Sequence, residues 1–218
     1  MPDFGPVLLS LQLAAVTTLI LFVLTLPLAW WLATTRSFAK PLVEAVTALP
    51  LVLPPTVIGF YLLIALNPTA PIGSFWVSLT GDTLTFSFAG LVVGSILYSL
   101  PFMVQPLQAA FESVGRGPLE AASVLRASRL DAFFNVVMPQ SLRGIVTACV
   151  LTFAHTIGEF GVVLMIGGNI PERTRVVSIA IFEHVEEQSY EQAHWLSAGM
   201  LVFAFMTLVA VYALNRSW

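Results

Sequence analysis

Long stretches without charge are the feature that most constrains how this chain folds. No Asp, Glu, Lys or Arg occurs between Phe4 and Thr35, and further apolar stretches of similar length recur along the sequence. An α-helix rises about 1.5 Å per residue, so about 20 apolar residues cross the hydrocarbon core of a bilayer. Only 10% of the residues are charged, against about 25% in a typical soluble domain. Lipid is therefore expected to be the solvent for much of this chain.

The apolar stretches predict an all-α membrane protein with about five transmembrane helices, formed by a single domain over residues 1–218. The predicted spans are Val7–Ala33, Val43–Leu66, Phe88–Phe111, Ile145–Ile166 and Ala193–Leu214. The first stretch is longer than a signal-peptide core and follows no basic residue, which predicts that it is retained as a span. Cys149 is the single cysteine and lies in an apolar run, so an intrachain disulfide is excluded.

The basic residues predict the orientation. With the N-terminus outside and the C-terminus inside, the positive-inside rule is obeyed. The residues on the cytoplasmic side are then Arg36, Lys40, Arg116, Arg126, Arg129, Arg143 and Arg216. Arg173 and Arg175 lie outside, where the loops also carry Asp3, Asp82, Glu172, Glu183, Glu186, Glu187 and Glu191. An odd number of spans argues against an inverted repeat within one chain, and five helices make a thin pore. We therefore expect a homodimer with the path at its interface.

The loop of residues 115–135, on the predicted cytoplasmic side, carries the most specific motif. The motif consists of Glu120-Ala121-Ala122, Arg126 and Val136-Val137-Met138-Pro139. Its spacing resembles the Glu-Ala-Ala loop of bacterial ABC importer permeases, in which a short cytoplasmic helix docks on a separate ATPase. The resemblance implies that this loop couples the chain to an ATPase partner.

The residues of the 115–135 loop suit a short docking helix. Pro118 fits the first helical turn, where its missing N–H costs nothing, and Glu120 is favoured there by the helix dipole. The two alanines of the motif allow another surface to approach closely. Arg126 and Arg129 are three residues apart and would share a face. The predicted coupling residues are Glu120, Ala121, Ala122, Arg126, Arg129 and Pro139, the last of which would mark the start of span four.

Arg126 departs from the family pattern, which usually has glycine at this position so that the chain can turn sharply after the docking helix. An arginine in a left-handed conformation would cost about 1–2 kcal/mol. We therefore expect either that the helix continues through Arg126 or that the turn uses another geometry.

Two further motifs resemble the molybdate and sulfate branch of these permeases. One is Leu49-Pro50-Leu51-Val52-Leu53-Pro54-Pro55-Thr56-Val57-Ile58-Gly59-Phe60; the other is Gly158-Glu159-Phe160-Gly161, continued by Gly168-Asn169-Ile170-Pro171 and Thr174. The resemblance covers spans two to four and the following outer loop. It implies a type I ABC importer permease of the bacterial cytoplasmic (inner) membrane that translocates molybdate, with sulfate or tungstate as alternatives. The implied partners are a second copy, two cytoplasmic ABC ATPase subunits and a periplasmic or extracellular oxyanion-binding protein.

The chain itself is not expected to bind ATP or to be an enzyme. Lys40 is the only lysine and follows Ala39, so no phosphate-binding Gly-x-x-x-x-Gly-Lys loop exists. ATP and Mg would be bound by the partner ATPase, and no cofactor, metal or nucleic acid is expected on this chain. An intramembrane enzyme is the rival hypothesis, but span four shows no Ser–His pair at helical spacing. A channel that works without ATP would have no need of the 115–135 docking loop.

The translocation path is predicted in spans two and four. Pro54 and Pro55 fall roughly 18 Å into span two and each removes a helical hydrogen bond, which predicts either a path-lining break beside Thr56 or a static kink. His155 and Glu159 are four residues apart, hence on one face of a helix. The predicted path or gate residues are Pro54, Pro55, Thr56, Thr152, His155, Gly158, Glu159 and Asn169.

Ionisable groups inside a span are candidates for function, and three interpretations of Glu159 compete. A metal or hydrolytic site lacks a third ligand pattern, and a carboxylate suits a dianionic cargo poorly. We favour a structural role, in which Glu159 accepts hydrogen bonds from the backbone or from His155. Gly158 and Gly161 would then allow close helix approach.

The outer segment 178–194 is acidic and partly apolar. Ile179, Ile181 and Phe182 could anchor a short interfacial helix. Glu183, Glu186 and Glu187 would belong either to a solvated cap over the dimer or to a docking surface for the binding protein. Charged residues at the edge of such a surface set the rate and orientation of encounter.

Overall fold

The computed structural model describes residues 4–216, with side chains from Phe4 to Ala213. Asp3 of the predicted outer acids lies outside the described residues, as do the side chains of Leu214 and Arg216. Residues 4–216 form helices joined by short connections and contain no strand, as the all-α prediction requires.

The helices follow one another closely along the chain. They are α1 Gly5–Thr34, α2 Lys40–Val52, α3 Pro55–Ala65, α4 Pro71–Thr80, α5 Phe88–Ser113, α6 Gly117–Val124, α7 Arg129–Ala132, a π-helical turn Phe133–Val137, α8 Met138–Gln140, α9 Leu142–Gly158, α10 Gly161–Gly167, α11 Val177–Glu186 and α12 Tyr190–Arg216. Within the described range, α1, α5 and α12 are long and apolar enough to cross a membrane. Two pairs of helices joined at a bend, α2 with α3 and Arg129–Gln140 with α9, raise the number of candidate spans to as many as 5.

Two predicted spans are interrupted. Span two is split into α2 and α3, and the helix direction bends by 108° between them. The split occurs because neither Pro54 nor Pro55 can donate a backbone hydrogen bond. The prediction of an uninterrupted fourth span over Ile145–Ile166 was wrong. α9 ends at Gly158, the backbone of Glu159 is extended (φ −66°, ψ 132°), and the short α10 follows. Gly158 and Gly161, on either side of this break, are poor helix formers. Whether the chain breaks here depends on how the helices pack.

A short helix that the sequence analysis did not predict, α4, lies between spans two and three. It begins with Pro71 in its first turn and ends at Thr80, and the following Gly81 has a φ of +76°. Proline at the start and a left-handed glycine just past the end are recognised helix boundaries, so this helix could have been predicted from those two residues.

The core lies between α1, α5 and α9. Leu21 and Leu107 are fully buried there, and Trp30 contacts Phe111 and Phe133, with ring centroids 5.9 and 5.3 Å away. Phe133 belongs to the π-helical turn at the end of the 115–135 loop, so this loop is packed directly on the long helices. By contrast, α12 presents most of its apolar side chains outward, as expected of a surface that faces lipid or another chain.

The two short helices that follow the broken spans pack against each other. A Cβ on Gly161 of α10 would lie 2.7 Å from Cβ of Pro55, and one on Gly59 of α3 would lie 2.7 Å from Cβ of Met165. Small residues at both points allow the backbones to approach closely. We call this contact the α3–α10 pair.

Candidate functional site

The short helix predicted in the 115–135 loop is present as α6, and its docking role stays a prediction. Pro118 lies in its first turn, as predicted, and so does Glu120, whose side chain is exposed. Ala122 is buried beneath the helix, whereas Ala121 is exposed. The helix and its continuation also expose Val124 and Leu125, each with 83% of its surface accessible. An apolar surface of this kind beside an acidic helix start is typical of a contact with another protein.

Arg126 adopts the left-handed conformation, with φ +60°, so both of our expectations for this residue were wrong. α6 ends at Val124, and the N–H groups of Arg126 and Ala127 donate to the carbonyl oxygens of Ser123 and Ala122, both at 3.0 Å. This pair of hydrogen bonds is the Schellman motif, which closes a helix through one left-handed residue. The hydrogen bonds and the packing of Ala122 hold Arg126 in a conformation that glycine adopts more easily.

The prediction that Arg126 and Arg129 share a helical face was wrong. The left-handed turn separates them, and Arg129 begins the next helix, whose start is capped by Ser128 Oγ accepting from the N–H of Asp131 at 3.1 Å. Pro139 lies in α8, immediately before α9 begins at Leu142, so it does precede the fourth span. The predicted coupling residues therefore lie on separate short helices and turns and not along one helix.

A cavity of about 580 Å³ opens between α3, α5, α9 and α10. Its lining includes Pro55, Thr56, His155, Gly158 and Glu159, which the sequence analysis assigned to the path from two separate motifs. Three other predicted path residues do not line it. Pro54 lies exposed at the break, Thr152 is fully buried, and Asn169 lies in the loop after α10, where its Oδ1 accepts from Arg175 Nε at 2.8 Å.

His155 is held by residues of α5 that the sequence analysis missed. Its Nδ1 lies 3.0 Å from Ser99 Oγ, and its ring stacks on Phe102 at a centroid distance of 3.8 Å, with Tyr98 at 5.1 Å. Ser95 and Ser99 are polar residues four apart in an apolar span. That spacing places them on one helical face and was the signal available in the sequence.

The side chain of Glu159 is 3% exposed, and neither carboxyl oxygen has a hydrogen-bond partner among residues 4–213. The buried Ser95 hydroxyl lies near it without forming a hydrogen bond of good geometry. The structural role that we favoured for this carboxyl group was therefore wrong, and so was its place on a helical face with His155. Glu159 is held through its backbone, whose carbonyl oxygen accepts from Ser178 Oγ at 2.5 Å and whose N–H donates to the carbonyl oxygen of Thr156 at 3.4 Å. A carboxyl group that is buried without partners is costly.

The two glycines of this motif behave differently. A Cβ on Gly158 would meet nothing within 4 Å, so the predicted close helix approach at this residue was wrong, and Gly158 instead borders the open cavity. At Gly161 the close approach exists, against Pro55. Within the described side chains, no group of three or more His, Cys, Asp and Glu residues is arranged to hold a metal ion.

The predicted outer helix exists as α11. Ile179 is 1% exposed and anchors it, while Phe182 remains 41% exposed. Glu183 is not free for docking, because its Oε1 lies 3.2 Å from Arg175 Nη2. Glu186 and Glu187 are exposed at the end of the helix, so the acidic surface is smaller than predicted.

Comparison with known proteins identifies relatives over nearly the whole chain. Residues 25–217 match the family described as "Binding-protein-dependent transport system inner membrane component". The chain is 58% identical to the molybdenum transport system permease protein ModB of Azotobacter vinelandii over 98% of its length and 95% of that protein. It is 32% identical to ModB of Escherichia coli strain K12 over 100% of its length and 93% of that protein. A chain of similar fold occurs in the crystal structure of a bacterial alginate ABC transporter in complex with an alginate-pentasaccharide-bound periplasmic protein. The two folds match with a TM-score of 0.76 and 17% sequence identity, over 99% of this chain and 78% of that one.

Proposed function

The chain belongs to the family of binding-protein-dependent transport system inner membrane components, and we propose that it imports molybdate as the membrane subunit of an ATP-driven transporter. It is a permease of the bacterial inner membrane with the fold of type I ABC importer permeases. The observation that carries the proposal is its identity to two molybdenum transport permeases over at least 93% of each relative's length.

We propose a homodimer that works by alternating access. The cavity between α3, α5, α9 and α10 is partly open in the single chain, which suits a path completed by a second copy. The breaks at Pro54 and Glu159 free the α3–α10 pair from the continuous helices. Hinge motion of this pair about the two breaks would close the path at one end while opening it at the other.

The energy would come from two ATPase subunits that bind ATP and Mg and dock on the 115–135 loop. Exposed Val124 and Leu125 supply apolar contact there, and Glu120 supplies charge. The packing of Phe133 against Trp30 and Phe111 gives the loop a rigid connection to the long helices. The N-terminus would lie outside, so that the loop faces the cytoplasm.

The cargo would be delivered from outside by an oxyanion-binding protein. Glu186 and Glu187 at the end of α11 are exposed and would orient that protein by charge. Inside the cavity, Thr56 offers a hydroxyl group, whereas an ionised Glu159 would repel a dianion. Such a site holds its cargo weakly, which fast release requires.

Reconstitution tests the proposed function. The chain is co-expressed with its neighbouring ATPase, inserted into liposomes and supplied with molybdate-loaded binding protein and ATP. We expect molybdate uptake that stops when ATP is replaced by a non-hydrolysable analogue, and much weaker uptake of sulfate. Uptake of sulfate alone, or uptake that is independent of ATP, would contradict the proposal.

A further inference from the structure

The imidazole ring of His155 is fixed inside the bundle while one of its nitrogens stays available. Nδ1 lies 3.0 Å from Ser99 Oγ, and the ring is stacked on Phe102 and flanked by Tyr98. His155 lines the 580 Å³ cavity. Its Nε2 has no hydrogen-bond partner among the side chains and backbone that the structure describes.

A chain of hydrogen bonds leads us to assign the proton of the neutral ring to Nδ1. Thr156 Oγ1 donates its single hydrogen to the carbonyl oxygen of Thr152 at 2.9 Å. With that assignment, Ser99 is the donor in the 3.0 Å contact between Ser99 Oγ and Thr156 Oγ1, and His155 Nδ1–H donates to Ser99 Oγ. The neutral ring consequently leaves Nε2 as a hydrogen-bond acceptor.

We infer that His155 Nε2 is a hydrogen-bonding group for the oxyanion in the path and that Ser99 is the residue that positions it. The inference rests on the proposed function, because it assigns a contact within the proposed path. Among the residues that the structure describes, the ring makes no ion pair, and the carboxyl group of Glu159 has no hydrogen bond to it.

A bridging water makes the acceptor nitrogen compatible with an anion. One hydrogen of the water is donated to Nε2 and the other to an oxygen of the oxyanion. The cavity of about 580 Å³ has room for a hydrated ion, since one water occupies about 30 Å³ in the liquid. A water-mediated contact orients the ion without binding it tightly, which agrees with the weak holding expected beside Glu159.

Two substitutions of His155 separate the roles of its nitrogens. In His155→Asn, the amide group takes the position of Nδ1 and can still bond Ser99, but nothing reaches the position of Nε2. In His155→Gln, the amide group takes the position of Nε2 and the bond to Ser99 is lost. Both variants are measured as reconstituted complexes with ATPase and binding protein, per folded transporter.

We expect His155→Gln to lose less of the maximal rate of molybdate uptake than His155→Asn, which should lose about fivefold. The concentration of loaded binding protein that gives half the maximal rate should stay unchanged in both, because docking happens elsewhere. The reverse order would show that His155 serves only to hold Ser99 and would overturn the inference. Equal activity of both variants, whether high or low, would overturn it as well. A wild-type complex without molybdate uptake would instead reject the proposed function.

A third substitution tests the positioning role of Ser99. Ser99→Ala should lower the uptake rate in the wild-type background, because the ring loses its anchor. In the His155→Gln background, Ser99→Ala should have no further effect, since the anchored ring is already gone. Losses that simply multiply in the double variant would show that Ser99 acts independently of His155, and the positioning role would be wrong.

Discussion

Gly161 and Pro55 lie so close that a Cβ on the glycine would be 2.7 Å from Cβ of the proline. The two residues come from different broken spans, and each starts its short helix. Their contact joins the α3–α10 pair, so that the two breaks in the membrane region belong to one packed unit.

The first prediction follows from this contact. Gly161→Ala should lower the free energy of unfolding by about 1–3 kcal/mol, because the added methyl group forces the two backbones apart. Gly199→Ala in α12 is the matched control, since its Cβ would meet nothing within 4 Å, and it should be neutral or stabilising. Thermal unfolding in detergent measures both. Equal stability of the two variants would show that the α3–α10 pair tolerates separation.

The second prediction concerns the docking surface at the start of α6. Glu120→Lys places the wrong charge at a helix N-terminus and on the proposed contact with the ATPase. Transport should fall sharply while the protein still inserts, and ATP hydrolysis should lose its dependence on loaded binding protein. Glu191→Lys makes the same change of charge in the first turn of α12 and should leave coupling intact. Normal uptake by Glu120→Lys at normal abundance would rule out the docking assignment.

The third prediction concerns the left-handed residue after α6. Arg126→Gly should stabilise the protein by about 1 kcal/mol, because glycine has no Cβ to strain the left-handed conformation. Arg126→Ala keeps the Cβ and removes the charge, so it should bring no such gain. Calorimetric or fluorescence-detected unfolding distinguishes the two. A stabilisation by alanine as large as that by glycine would mean that the charge, and not the backbone, is the source of strain.

The fourth prediction concerns the unpartnered carboxyl group of Glu159. Glu159→Gln and Glu159→Ala should both keep the folded yield, because no hydrogen bond is lost and a costly buried group is removed. Ser178→Ala removes the hydrogen bond to the backbone carbonyl of Glu159 and should cost about 0.5–1.5 kcal/mol. Folded yield is measured by size-exclusion chromatography at matched expression. Misfolding of Glu159→Ala would show that the carboxyl group has a structural partner after all.

The fifth prediction concerns topology. In a variant with Cys149→Ala, a single cysteine introduced at position 187 should react with an impermeant reagent from outside in intact cells. A cysteine at position 126 should react only after the membrane is opened. The opposite pattern would reverse the orientation and with it the assignment of both docking surfaces.

Several local features were predictable from the sequence because local chemistry determines them. The stretch without charge before Thr35 requires lipid around a helix whatever the other helices do. Pro118 and Glu120 begin a helix, and Pro54 and Pro55 end one, because each acts within one turn of its own backbone. Thr56 and His155 line one cavity, and their place on a translocation path stays a prediction.

The tertiary structure alone decided what depends on distant residues. Periodicity places Glu159 on the same helix face as His155, but packing of Gly161 on Pro55, far away in sequence, accompanies a break in that helix and leaves the carboxyl group without a partner. Arg126 is left-handed because two hydrogen bonds and the burial of Ala122 outweigh the strain of one Cβ. The assignment of the His155 proton to Nδ1 depends on Ser99 and its contact with Thr156, which come from two different helices. A sequence determines the local preferences of each segment, whereas contacts between segments decide which of those preferences is overruled.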